Sequence, residues 1–193
     1  MTDKAPPGRL RQPGQPRRNE RIAEMIRVDH AGEYGAVRIY EGQLAVFRGL
    51  SHKQALRRSL EDMAQDEADH LDRFNHIVNE RGVRPTALTP VWHAAGFALG
   101  AATALMGEKA AMACTAAVEE VIDEHYAGQI DELEEMGEPE AELRGTIEQF
   151  RAEEIAHRDH AIAHGAEETP GYPLLSGAIK AACRLAIRIS EKA

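Results

Sequence analysis

Two short segments of the chain combine residue types and a spacing that can bind a metal ion. Each is a Glu-x-x-His sequence, Glu67–His70 in the first half of the chain and Glu154–His157 in the second. Residues three positions apart share one face of an α-helix, so the carboxylate and the imidazole of each segment can bind one ion together. A further glutamate precedes each segment at nearly the same distance, Glu33 before the first and Glu119 before the second. This duplicated set of four carboxylates and two imidazoles is typical of a di-iron or di-manganese site in a four-helix bundle.

The donor types and charges of these six candidate ligands favour iron or manganese. Carboxylates and imidazoles suit these ions better than ligand sets made only of thiolates or carbonyls. Two divalent cations would neutralise four carboxylates, whereas the same carboxylates buried without metal would have raised pKa values. We expect Glu67 and Glu154 to bridge the two ions, because each shares a helix with a histidine ligand. A single Glu-x-x-His sequence is weak in a chain with nine histidines, so the alternative is two solvated helix faces with unrelated histidines.

Several residues close to the candidate ligands have predicted roles of their own. Tyr40 and Tyr126 each follow an upstream glutamate by seven residues, and Tyr126 is a candidate catalytic residue that passes protons or electrons. The alternative for both is a core tyrosine with a satisfied hydroxyl. Asp66 and Glu153 immediately precede ligand glutamates and are expected to accept the second N–H of a histidine across the bundle; otherwise they are solvated surface acids. Three further histidines are not expected to bind metal, and they are His30, His125 and His160.

The composition favours one all-helical domain in a reducing compartment. The 193 residues include 43% hydrophobic but only 5% aromatic residues, and the dominant Glu, Ala, Arg and Leu are strong helix formers. The two cysteines provide neither a disulfide framework nor a ligand set for an iron–sulfur cluster. The net charge is −9 at pH 7, with basic ends around an acidic middle. This acidic middle argues against nucleic acid as a partner.

Apolar periodicity, glycines and prolines predict four bundle helices. They are expected over residues of about 20–48, about 53–80, from within 85–107 to about 136, and about 139–164. The uncharged segment 85–107 is long enough to cross a membrane. Its Pro85, Pro90 and His93, and its many small residues, favour a buried bundle helix instead. Gly96 and Gly100 in this segment permit close contact with another helix.

An additional amphipathic helix is predicted within residues 174–193. It has an apolar stripe and carries Lys or Arg at every fourth position from 180 to 192. Such a helix is typical of a segment that lies on an anionic membrane surface, and the alternative is a helix docked on the bundle with its cations in water. Residues 1–18, rich in Pro and Arg and without a secretory signal, are expected to form a flexible basic arm. The predicted domain therefore spans residues 19–193.

Together these motifs resemble the demethoxyubiquinone hydroxylase family, the ferritin-like di-iron monooxygenases of ubiquinone biosynthesis. The resemblance covers about residues 19–193, and all six candidate ligand positions match. The segments that carry it are 27–34 (RVDHAGEY), 66–70 (DEADH), 113–120 (ACTAAVEE), 125–126 (HY), 150–157 (FRAEEIAH) and 183–190 (CRLAIRIS). The short form without a long leader is more similar to bacterial members of the family than to mitochondrial ones.

The resemblance implies both the reaction and its setting. Two Fe ions, cycling between Fe²⁺ and Fe³⁺, would use O₂ as co-substrate to hydroxylate the ring of a polyprenyl demethoxyubiquinol. The lipid substrate implies peripheral attachment to a membrane surface, on the cytoplasmic face of a bacterial inner membrane or the matrix side of the inner mitochondrial membrane. We expect a homo-oligomer such as a dimer, while the electron donor stays open.

Two other classes of protein fit the same residues less well. A ferroxidase of the ferritin or rubrerythrin type would share the bundle and the ligands, but it would not need a basic amphipathic helix. A non-enzymatic helical module that binds quinones or protein partners would need no metal. Metal content and native mass distinguish these classes from a monooxygenase.

Overall fold

The computed structural model of the protein describes residues 17–193, which form six α-helices and no β-strand. The helices are α1 (Arg18–Phe47), α2 (Gln54–Arg81), α3 (Thr89–Leu105), α4 (Glu108–Met136), α5 (Ala141–Ala163) and α6 (Tyr172–Ser190). The prediction of an all-α fold is confirmed. The arm predicted for residues 1–18 lies outside the described residues apart from Arg17 and Arg18, which form the N-cap and the first residue of α1.

The four longest helices form a bundle of two helical hairpins, in which α1 packs against α2 and α4 packs against α5. This is the ferritin-like arrangement that the duplicated motifs predicted. Two apolar clusters fill the bundle, one around Ile26, Phe74 and Ile147 and the other around Leu60 and Met112. Along each bundle helix, the candidate metal ligand lies between these two clusters. Apolar packing therefore fixes the four helices on both sides of the candidate ligands along the bundle axis.

The predicted third bundle helix is wrong in one respect, because the chain reverses direction within it. Gly107 has φ of 120°, a conformation that residues with a side chain rarely adopt, and it separates α3 from α4. Only α4 enters the bundle. Helix α3 packs on the outside of α1 and buries only Gly96, Gly100, Thr103 and Ala104. The uncharged segment is therefore a covering helix rather than a buried member of the bundle.

Glycines allow α3 to lie unusually close to α1. A Cβ atom at Gly100 would lie 1.9 Å from the carbonyl oxygen of Ile39, and one at Gly96 would lie 2.8 Å from that of Gly35. Gly42 on α1 is equally restricted, since its Cβ would lie 2.3 Å from the carbonyl oxygen of Phe97. The close contact predicted from Gly96 and Gly100 is confirmed, and the two backbones touch directly.

Helix α6 docks on α4, and its cations face acids of the bundle. Lys180 pairs with Glu120 at 2.6 Å, Arg184 pairs with Glu124 at 2.8 Å, and Lys192 pairs with Glu24 on α1 at 2.6 Å. The predicted amphipathic helix is thus present, but two of its three cations, and Lys192 just after its end, are in ion pairs rather than free in water. Its exposed surface includes large apolar side chains, which are Leu174, Leu185 and Ile189. Within residues 17–193, no helix has the length and apolarity needed to cross a membrane.

Candidate metal centre

All six predicted ligands meet in the middle of the bundle, one or two from each of its four helices. Their donor atoms form two groups, and within each group they lie within 4.8 Å of one another. The first group is Glu33, Glu67, His70 and Glu154, and the second is Glu67, Glu119, Glu154 and His157. Glu67 and Glu154 belong to both groups, which are the positions expected of bridging carboxylates. These buried Glu and His groups could hold a metal ion.

The hydrogen-bonding state of these side chains fits a bound cation. Both carboxylate oxygens of Glu67 and Glu154 are buried and lack a hydrogen-bond partner among the described residues. The same is true of one oxygen of Glu33, one oxygen of Glu119 and the Nδ1 atoms of both histidines. Buried polar atoms are normally satisfied, and buried charges are normally paired or bound to a metal. The unsatisfied atoms all point into one space, so a pair of divalent cations would satisfy them together.

The electrostatics of the cluster indicate what a metal would displace. Burial raises the pKa of Glu33, Glu67 and Glu119, and the charge of Glu154 raises each of them further. Burial would lower the pKa of His70, but the neighbouring carboxylates of Glu154 and Glu33 outweigh it and raise the pKa to about 12. Without metal, the cluster therefore retains protons, and metal binding must release them.

Glu154 differs from the other three carboxylates, because it lies between the two histidines. Its oxygens lie 3.2 Å from Nδ1 of His70 and 3.4 Å from Nδ1 of His157. Burial alone would raise its pKa, but the two imidazoles lower it to about 2. For His157, burial is likewise outweighed, and the carboxylates of Glu154 and Glu67 raise the pKa to about 11. Glu154 is thus the carboxylate that remains charged at every physiological pH.

The second nitrogen of each histidine contacts a carboxylate across the bundle, as predicted. His70 on α2 donates from Nε2 to Oε2 of Glu153 on α5 at 2.6 Å. His157 on α5 donates from Nε2 to Oδ2 of Asp66 on α2 at 3.1 Å. These two bonds turn Nδ1 of both rings toward the candidate ligand carboxylates. They fix the ring orientation that metal binding needs.

The two predicted tyrosines lie in the same buried space and mirror one another. Tyr126 on α4 donates a hydrogen bond to Oε1 of Glu33 on α1. Tyr40 on α1 donates to Oε1 of Glu119 on α4 at 3.1 Å. Each hydroxyl thus satisfies the one oxygen of its glutamate that does not point at the other ligands. The pairing makes Tyr126 a direct neighbour of a candidate ligand, although its catalytic role remains a prediction.

Other polar residues near the cluster hold the helices rather than join the two groups. His30 pairs with Asn75, and His160 pairs with Ser59. Sequence reasoning missed one buried network, in which Gln129 donates to Oδ1 of Asp29 at 2.8 Å and His125 contacts the same oxygen at 3.2 Å. Two signals in the sequence could have revealed it. Asp29 lies one turn before Glu33, and the side chains at 125 and 129 share one face of α4.

An apolar cavity of about 180 Å³ lies beside the cluster, between α1, α3, α4 and α6. Gly32 and Gly35, which flank Glu33, line it, and a Cβ atom at either position would meet no neighbouring atom within 4 Å. Trp92 also lines the cavity, and its Nε1 is buried without a hydrogen-bond partner among the described residues. The cavity thus offers an apolar space next to the cluster with a single free N–H donor at its wall.

Residues 20–190 match the family described as "Ubiquinone biosynthesis protein COQ7". The chain belongs to this family. A relative from Rhodospirillum rubrum named 3-demethoxyubiquinol 3-hydroxylase is 53% identical over 182 residues, which cover 94% of this chain and 83% of the relative. The NADPH-dependent 3-demethoxyubiquinone 3-hydroxylase of Homo sapiens is 49% identical over 172 residues, covering 89% of this chain and 77% of the human protein. The family predicted from the motifs is confirmed.

A more distant relative shows that the similarity extends through most of the family's length. The 5-demethoxyubiquinone hydroxylase of Saccharomyces cerevisiae is 41% identical over 184 residues, covering 89% of this chain and 78% of the yeast protein. The human and yeast relatives are both named as mitochondrial. Residues 20–190, which match the family, contain every residue of the candidate metal centre and both covering helices.

Proposed function

We propose that the protein is an O₂-dependent monooxygenase that hydroxylates the ring of a polyprenyl demethoxyubiquinol in ubiquinone biosynthesis. The observation that carries this proposal is the buried cluster of four carboxylates and two imidazoles in a chain of the COQ7 family. Relatives that are 41–53% identical over most of the chain are named as demethoxyubiquinol or demethoxyubiquinone hydroxylases. A di-iron centre, when bound, would supply open coordination positions for O₂ and pass to it two electrons from an external reductant, which each turnover requires.

The side chains of the cluster have distinct parts in this proposal. Glu67 and Glu154 would bridge the two iron ions, because their oxygens belong to both donor groups. Glu33 and His70 would hold one ion, and Glu119 and His157 would hold the other. Tyr126 would hold a proton at its hydroxyl, within hydrogen-bonding contact of Glu33, and deliver it during the reduction of O₂ to water.

The apolar cavity is the proposed binding site for the quinol ring. Gly32 and Gly35 leave the wall open next to Glu33, so a ring can approach the metals closely. Trp92 lines the cavity one turn before Gly96, and its buried Nε1 donor has no hydrogen-bond partner among the described residues. This N–H would donate to a ring oxygen of the substrate. An aromatic ring without such an oxygen would leave the donor unpaired, which disfavours its binding.

The polyprenyl tail would leave the cavity along α3 and α6 into a membrane. Both helices expose large apolar residues, including Leu105 and Met106 at the end of α3 and Leu174 and Leu185 on α6. Exposed large apolar side chains on two neighbouring helices are typical of an interaction surface. We therefore propose a peripheral membrane protein, attached on the cytoplasmic face of a bacterial inner membrane or on the matrix side in mitochondria.

Metal content and quinone profile together test this function. Wild-type protein and Glu154→Ala are purified for iron and manganese analysis, and each is expressed in cells that lack their own hydroxylase. We expect about two Fe per chain and restored ubiquinone for wild type, and loss of both for Glu154→Ala. Glu148→Ala is the matched control, because Glu148 is an exposed residue on the same helix. Two Fe per chain without ubiquinone would contradict the monooxygenase and favour the ferroxidase.

Intrinsic fluorescence tests the cavity separately, because Trp92 is the one tryptophan of the chain. A short-chain quinone bound in the cavity would quench the emission of this residue saturably. Filling the cavity with Gly35→Leu should abolish the saturable part of the quenching while the metal content stays the same. Equal quenching of both proteins would place the quinone elsewhere.

A further inference from the structure

The candidate metal centre lies between the two hairpins, and the two seams between these hairpins are covered differently. Helices α3 and α6 pack over the α1–α4 side, where they enclose the apolar cavity. No other helix of residues 17–193 packs over the α2–α5 side, where α2 and α5 contact one another through side chains such as His70 and Glu153. The added helices therefore shield the centre on one side only.

The bare seam opens as a polar cleft of about 320 Å³ between α2 and α5. Its lining includes three carboxylates, Asp66, Asp69 and Glu153, and two basic side chains, Arg73 and His70, of which His70 already donates to Glu153. The guanidinium of Arg73 pairs with Glu142 at 2.9 Å, so it does not neutralise the rim. Grouped charges of one sign at a cleft raise the local concentration of ions of the opposite sign. The α2–α5 cleft is thus suited to cations, whereas the cavity beside α3 is almost entirely apolar.

Only one imidazole ring separates the α2–α5 cleft from the candidate ligand carboxylates. His70 lines the cleft and is buried; its Nε2 lies 2.6 Å from the rim carboxylate of Glu153, and its Nδ1 lies 3.2 Å from Glu154. The ring of His157 has the same placement between the rim and Glu67. A cation attracted to the rim needs to pass only the depth of one ring to reach the unpartnered oxygens of Glu154.

We propose that divalent metal ions reach the centre through the α2–α5 cleft, separately from the apolar cavity that admits the lipid substrate. This inference rests on the proposed metal centre. The physical reason is desolvation, because a divalent ion in the apolar cavity would lose its hydration without compensating ligands. In the cleft, rim carboxylates replace water stepwise. The metal ions and the lipid substrate therefore approach from opposite faces of the bundle.

The rate of Co²⁺ binding to metal-free protein tests the route without any activity measurement. Co²⁺ in a carboxylate and imidazole site gives visible absorption, which stopped-flow mixing follows at low Co²⁺, where the rate is proportional to concentration. We expect Asp69→Lys to lower the second-order rate constant about tenfold at low ionic strength, with a smaller difference in high salt. Its equilibrium affinity should stay within about twofold, because Asp69 lies outside both donor groups and accepts a hydrogen bond from Gln65.

Two variants serve as controls for net charge and for the other route. Asp131→Lys makes the same change of charge at an exposed position of α4 outside the α2–α5 cleft, and it should bind Co²⁺ at the wild-type rate. Ala186→Trp narrows the apolar cavity and should also leave the rate unchanged. The inference is overturned if Asp69→Lys and Asp131→Lys behave alike, or if Ala186→Trp is the slow variant. Absence of Co²⁺ binding in every protein would instead defeat the proposed metal centre.

Discussion

Removing the carboxylate of Glu153 should weaken metal binding even though Glu153 lies outside both donor groups. The substitution Glu153→Ala deletes the acceptor that lies 2.6 Å from Nε2 of His70. This bond turns Nδ1 of the same ring toward Glu33 and Glu154. Without it, the ring can rotate and its basicity falls, so the metal loses a well-oriented ligand. Glu153 is therefore a positioning residue.

The size of the effect follows from the geometry of the two histidine–carboxylate pairs. Loss of such a partner typically costs between tenfold and a hundredfold in metal affinity. Glu153 contacts His70 at 2.6 Å and is further fixed by Gln149 at 3.1 Å, whereas Asp66 contacts His157 at 3.1 Å and has a more exposed side chain. We expect Glu153→Ala to lower the metal affinity about thirtyfold, equal to about 2 kcal/mol of binding free energy, and Asp66→Ala to lower it less than about tenfold.

A competition titration against a chelator, under anaerobic conditions and at fixed pH, gives the dissociation constant for Fe²⁺. Glu153→Gln keeps an acceptor oxygen and should recover part of the lost affinity. Glu148→Ala is the control, since Glu148 is an exposed residue of the same helix with the same charge, and its partner is Arg144, outside both donor groups. If the Fe²⁺ dissociation constants of Glu153→Ala and Glu148→Ala agree within about twofold, the role of Glu153 in orienting the ring is refuted. The same holds if Asp66→Ala binds Fe²⁺ more weakly than Glu153→Ala does.

Three further predictions concern pH, packing and membrane binding. The pKa values of His70 and His157 are raised in the folded protein, so their protonation stabilises the metal-free fold. This contribution is fully present below pH 6.5, and it is lost as the pH rises through about 11 for the pKa of His157 and about 12 for that of His70. Added metal should therefore raise the thermal unfolding temperature more at pH 9 than at pH 6, because metal binding releases protons. An equal rise at both pH values would contradict the inference that the metal-free cluster is protonated. Gly100→Ala should lower the unfolding free energy by about 1–3 kcal/mol, whereas Gly32→Ala, which meets no neighbour, should not; equal urea midpoints would contradict the close α1–α3 contact. Leu185→Glu should weaken liposome flotation about tenfold or more, and unchanged flotation would argue against docking through α6.

The convergence of the six candidate ligands could be predicted from the sequence because each part of the set is a local pattern. Glu67 and His70 share a helix face by spacing alone, and the same holds for Glu154 and His157. The cross-bundle partners followed from a further local fact, that an acid precedes each ligand glutamate. Once the fold class was inferred from duplication, the pairing of the two halves followed from the symmetry of the bundle.

The covering helices could not be placed from the sequence, because their positions depend on long-range contacts. Gly107 looks like any small residue in an uncharged, alanine-rich run, and only its φ of 120° shows that the chain reverses there. The cations of α6 looked like a membrane-binding face, since the sequence does not show that Glu120 and Glu124 lie opposite them. An amphipathic pattern gives the faces of a helix but not the partner of each face.

The ion pairs of α6 change what a membrane would recognise. Because Lys180, Arg184 and Lys192 are neutralised on the bundle, the outward surface of α6 is mainly apolar rather than basic. Attachment should then depend on apolar insertion more than on anionic lipid, in contrast to a free basic helix. The same docking closes the α1–α4 side against water while α2 and α5 remain bare. The bundle thus has an apolar cavity on one side of the candidate metal centre and a polar cleft on the other.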